Sequence, residues 1–162
     1  MDGLKRVDKF GSDPLIEVLD KIKVLAGSSI VNEGAVVGAQ TLVAAPVTLT
    51  AADSGKELYF NSATGISITL PAKALGLRFN VRVKIAPTSG NHILKTPAGA
   101  KIIQGGAVVN GGDIPAILEE QINFVASTSL VGDCASVVCD GDLWYAEGRS
   151  GTTAALTFTE PT

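Results

Sequence analysis

From Val47 to Gly151, apolar and polar residues alternate in short runs, broken at close intervals by Gly, Pro, Asn and Asp. Alternation of this kind marks half-buried strands. The clearest case is Arg78–Ile85, where Phe79, Val81, Val83 and Ile85 take one side and Arg78, Asn80, Arg82 and Lys84 the other. Shorter strands are predicted at Val47–Thr50, Leu58–Phe60, Ile66–Leu70 and His92–Lys95, and again at Lys101–Ile103 and Ala107–Val109. Ile122–Val125, Ala135–Cys139 and Leu143–Ala146 complete the set, the last two joined by Asp140-Gly141, a tight-hairpin signal. Pro71–Gly76 reads as a single helical turn. Thr152–Thr162 reads as an extended tail that adds an edge strand to this subunit or another. Short, regular strands without long helices between them predict a mainly β domain over 47–162, a sandwich, jelly roll or barrel.

The first 46 residues read as an N-terminal helical arm. Asp13 suits an N-cap, Pro14 the first helical position and Gly27 the stop, so a helix is predicted over about 14–26. Leu15, Val18, Leu19, Ile22 and Leu25 form one apolar stripe at helical spacing. A helix this short is marginal alone in water, so its stripe must dock on its own β domain, on copies of itself or on a partner. Ser28–Pro46 is rich in Gly, Ala and Val and reads as a linker ordered against a surface, or as one or two edge strands.

Composition sharpens this picture. The chain has 162 residues, 46% of them hydrophobic and 18% charged. With so lean a charged share, either Thr, Ser, Asn and Gly cover the surface or, as we favour, partner subunits cover part of it. A net charge of -3 disfavours non-specific nucleic-acid binding. Between Leu58 and Gly112 there is no acid, only Lys73, Arg78, Arg82, Lys84, Lys95 and Lys101. Beyond Gly112 the acids dominate, against the single Arg149. That asymmetry suits pairing across strands or across subunits. No apolar run is long enough to span a bilayer. Lys5, Arg6 and Lys9 precede no apolar segment of the Sec-signal type, which leads us to expect synthesis in the cytoplasm.

Candidate chemistry is sparse. A Ser or Cys nucleophile needs a base within reach, and the one histidine, His92, is expected to be structural. Cys134 and Cys139 are an odd number of residues apart, hence on opposite faces of a strand, and are expected to be reduced and packed. One His and two Cys make no zinc set, so no metal and no cofactor is expected. Asp140 and Asp142 flank Gly141 as turn residues rather than as a catalytic acid pair, and Glu119-Glu120 reads as a solvated loop end. Trp144 and Tyr145 must face opposite ways, one to the core and one to the surface. No catalytic residue is assigned, and the chain is read as a non-enzyme.

Two stretches carry a family resemblance. Val47–Ile103 contains a TLPA turn followed by a Gly-Leu-Arg-Phe strand entry, and Val131–Gly151 contains a GD…CDG-x-x-W-Y hairpin. In these features the chain resembles a β-rich virion module of tailed bacteriophages, found in capsid decoration (cement) proteins and in some fibre proteins. The resemblance implies a structural protein made in the host cytoplasm and carried on the exterior of an icosahedral head. There it acts as a homotrimer clamping neighbouring subunits of the major capsid protein, with no nucleic-acid or membrane partner. The alternative is a trimeric fibre module that binds a host receptor or glycan. The residues expected at capsid or subunit contacts are Leu15, Leu19 and Ile22 on the helix stripe, and Arg78, Arg82 and Lys84 on the basic strand.

Overall fold

A computed structural model describes residues 40–160, and the predicted helix with Leu15, Leu19 and Ile22 lies outside them. The described chain is mainly β, with twelve strands in two sheets. The strands are β1 Gln40–Val43, β2 Val47–Thr48, β3 Glu57–Phe60, β4 Ser67–Thr69, β5 Arg78–Val83 and β6 His92–Lys95. They continue with β7 Ile103–Val109, β8 Gly112–Glu119, β9 Gln121–Phe124, β10 Cys134–Cys139, β11 Trp144–Ser150 and β12 Leu156–Thr159. The seven-stranded sheet runs β1-β3-β5-β10-β11-β7-β8 and the five-stranded sheet β12-β9-β6-β4-β2.

The topology has two halves. Over β1–β6 the chain alternates between the sheets. β1, β3 and β5 are parallel neighbours in one, and β2, β4 and β6 are parallel neighbours in the other. Parallel neighbours need a crossover; here the crossover is a strand of the opposite sheet, so this half winds like a short solenoid. The second half contains the β7–β8 and β10–β11 antiparallel pairs, with β7 lying parallel to β11. Asp140 closes the β10–β11 hairpin by accepting the Asp142 and Leu143 N–H groups, each at 2.8 Å, and Gly141 takes φ 104°.

One apolar core lies between the sheets. Phe60, Phe79, Val81, Val137, Ile103 and Trp144 come from the larger sheet, and Ile68, Leu94, Ile122, Phe124 and Leu156 from the smaller. His92 joins it, buried and stacked on Phe60 with ring centroids 4.6 Å apart. Its Nδ1 accepts the Ile66 N–H at 3.3 Å, and its Nε2 donates to the Ile85 carbonyl at 3.1 Å. Both bonds require the neutral ring with its proton on Nε2. A second buried knot fastens the loop before β10. Asp133 accepts from Ser129 Oγ, Leu130 N–H and Ser150 Oγ at 2.8–3.0 Å.

Several expectations are corrected. Pro71–Gly76 is a turn without helix. Ile85 does not continue the inward row, because β5 ends at Val83 and both Lys84 and Ile85 N–H groups turn to the Phe60 carbonyl. Lys101–Ile103 and Ala107–Val109 are not two strands; β7 runs unbroken through Gly105-Gly106, held on both sides by β8 and β11. Glu119 ends the unforeseen β8, and Glu120 is buried rather than solvated. Pro115 sits within β8, where an edge position spares it a ladder bond. The C-terminal strand β12 pairs with β9 of its own chain.

Candidate interaction face

Because side chains alternate along each strand, the cross-strand register defines what covers the outside of the seven-stranded sheet. One row reads Arg78, Val138, Tyr145, Gln104 and Ile117. The next reads Gln40, Glu57, Asn80, Ser136, Glu147, Gly106 and Pro115. The third reads Leu42, Tyr59, Arg82, Cys134, Arg149, Val108 and Asp113. Large apolar side chains stand exposed here: Ile117 at 67%, Leu42 at 54%, Val138 at 49%, Tyr145 at 46% and Val108 at 44%. Leu75, on the turn beside Gly141, adds an 81% exposed leucine at one end. The strand-borne apolar side chains stand in the first and third rows among polar and charged neighbours, with Gln40, Glu57, Asn80, Ser136 and Glu147 in the row between them. Single exposed apolar residues are ordinary, and several on one sheet face make it the candidate for contact.

A bulge in β8 increases that exposure. Ile103 faces Glu119 while Gln104 faces Ile117, so Leu118 is the extra residue, and it adopts φ 56°. A left-handed leucine is unfavourable by roughly 1–2 kcal/mol. The bulge leaves both Ile117 and Leu118 outside the core.

The basic residues of the predicted contact set lie on or beside this face. Arg78 and Arg82 project from β5, and Lys84 lies exposed just past its end. Arg82 Nε donates to Glu57 Oε1 at 3.4 Å, across the β3–β5 pair. Elsewhere the basic and acidic segments meet as Lys73–Asp142 at 3.2 Å and Lys101–Glu160 at 2.6 Å. All three ion pairs are exposed enough for water to screen them strongly. Three open clefts of about 290, 840 and 330 Å³ cut this same face. The first lies around Cys134 between Arg82 and Arg149, the second over Gly105 and Gly106, the third between Leu42, Tyr59 and Lys84.

The other singled-out residues are placed as follows. Cys134 is half-buried and Cys139 buried, both as free thiols. Trp144 fills the core beside Phe79, with its indole N–H finding no protein acceptor, whereas Tyr145 faces out. Asp140 lies beside the Tyr145 hydroxyl and raises the phenol above its ordinary value. Asp140 itself is lowered, first by the Leu143 N–H and then by that of Asp142. Burial pushes His92 below its usual range. Among the described residues no group of three or more His, Cys, Asp or Glu is placed to hold a metal, and no helix is long and apolar enough to cross a membrane. The apolar face itself escaped sequence reading in its β7–β8 portion. The glycines of β7 hide its alternation, and the β8 bulge shifts its phase. No protein-family model matches the chain, and it matches no curated protein.

Proposed function

We propose that this protein is a structural virion component that attaches to the outside of an icosahedral phage head and clamps neighbouring major capsid subunits. Two sheets around one core, the layout of a β-sandwich, supply a rigid body suited to that task. The observation that carries the reading is the group of exposed apolar side chains on the outer face of the seven-stranded sheet, interspersed with Arg78 and Arg82 and with Lys84 just beyond β5. Burying it between subunits gives roughly 25 cal/mol per Å² of apolar area, a gain lost if the shell parts. The resemblance of Val47–Ile103 and Val131–Gly151 to decoration modules supports the same assignment, and those segments supply much of the face.

In this reading the protein acts as a homotrimer, which multiplies individually weak contacts through effective concentration. The N-terminal arm, with Leu15, Leu19 and Ile22, provides a second attachment to the capsid. The test is co-sedimentation with empty heads of the cognate phage. Full-length protein pellets with the heads at a saturable ratio. Deleting residues 1–27 abolishes pelleting, and reversing charge in Arg78→Glu/Arg82→Glu weakens it. Full binding by both variants, or no binding by the wild type, counts against the assignment.

A further inference from the structure

The largest cleft on the outer face, about 840 Å³, falls within the ~300–1,000 Å³ range of ligand sites. Its floor is bare main chain, where Gly105 and Gly106 carry β7 between β8 and β11. Neither position has room for a side chain. A Cβ on Gly105 would collide with the Ala146 carbonyl oxygen, and one on Gly106 would stand 2.7 Å from that of Ile114. Gly105 also holds φ 130°, which an L side chain rarely adopts. The fold therefore keeps a flat peptide surface open toward the β8 edge of this face.

Around that floor stand an aromatic ring, apolar side chains and charged groups. By the register, Tyr145 lies at one end, Glu147 and Pro115 flank Gly106 on the neighbouring strands, and Arg149, Val108 and Asp113 close the other end. Glu147 and Arg149 are two residues apart on β11 and point the same way, so the groove presents acceptors and donors together rather than one sign of charge. This combination does not select an anion or a cation. It suits a ligand with a flat C–H face for the ring and peptide floor, and hydroxyl groups for the carboxylates and guanidinium. We propose that the glycine-floored groove binds a neutral pyranose ring of an oligosaccharide, stacked on Tyr145 and hydrogen-bonded by Glu147, Arg149 and Asp113. The groove lies within the face proposed to meet the capsid, so sugar and head would compete for it. Sugar binding is therefore read on the free chain, where its failure leaves the head-binding test untouched.

The experiment titrates the isotopically labelled full-length chain with cellotetraose, maltotetraose and chitotetraose, following backbone amide resonances. At least one sugar is expected to shift the Gly105, Gly106 and Tyr145 amides saturably. Tyr145→Ala should weaken that binding about tenfold, the worth of one aromatic contact. Glu147→Gln, which keeps the shape of the groove, should weaken it as well and serves if the tyrosine variant perturbs the fold. No shift with any of the three sugars, shifts confined to other residues, or binding unchanged in both variants would overturn the proposal. Movement of the same amides with protein concentration alone would also overturn it, assigning the groove to a second copy of the chain.

Discussion

The two outer faces of this molecule solve the same problem in opposite ways. The five-stranded sheet's outward rows are mostly polar, with half-buried Ile93 between Asn123 and Ser67, and part of them is a hydrogen-bonded lattice. Gln121 Nε2 donates to Asn123 Oδ1 and Thr159 Oγ1, each at 3.0 Å, and Asn123 Nδ2 donates to Thr159 Oγ1 at 2.8 Å. Lys95 and Thr69 extend that row across β6 and β4. The seven-stranded sheet instead exposes Ile117, Leu42, Val138, Tyr145 and Val108, with clefts between them. A face that spends its hydrogen bonds internally has little left for a partner. A face that leaves apolar area in water gains by being covered. In the proposed function, contact falls on the larger sheet and the smaller one is structural.

Substitutions rank this contrast by effect. Phe60→Ala removes the ring on which both His92 and Phe124 lean, and should cost about 3–5 kcal/mol in urea unfolding. It sets the scale for a residue that serves both sheets, and a loss below ~1 kcal/mol would mean that the core is not shared as described.

Acid should act next. Because burial lowers the folded value of His92 below the ordinary 6.5, the unfolded chain takes up the proton first. His92 therefore contributes no pH-dependent loss above 6.5. As pH falls below that value, stability should drop by at most about 1.4 kcal/mol per unit until the folded ring also titrates. His92→Gln should flatten this slope between pH 6.5 and 5, as read by melts at each pH; an unchanged slope would remove His92 as its source.

Asn123→Ala, which breaks the lattice on the small sheet, should cost about 1–2 kcal/mol. Ile117→Ser with Val138→Ser, on the large sheet, should change stability by less than ~0.5 kcal/mol per site. If the second pair proved as damaging as the first, the two faces would not differ in the way proposed.

Much of the fold was legible in the residues. Arg78–Val83 alternates cleanly because one side meets the core and the other water, and Asp140-Gly141 announces its hairpin through turn chemistry. The winding of β1–β6 was not legible, because successive turns differ in length and leave no repeat. β8 was hidden by Pro115 and by the bulge at Leu118, which breaks the period of two. The interaction face was half visible. Arg78 and Arg82 and the opposed directions of Trp144 and Tyr145 follow from local pattern. Which of the two faces out, and its link to Ile117 and Val108, needs the register, including the parallel β7–β11 pair that no local signal specifies.

In the proposed function, the exposed apolar side chains of the larger sheet supply a necessary part of the contact with the head, beside Arg78, Arg82 and the N-terminal arm. The most direct measurement compares wild type with Ile117→Ser/Val138→Ser for saturable binding to purified empty heads, alongside urea curves for both. Folding should be unchanged and head binding about tenfold or more weaker in the variant. Equal binding by the two proteins, with both folded, would contradict that role of the apolar side chains.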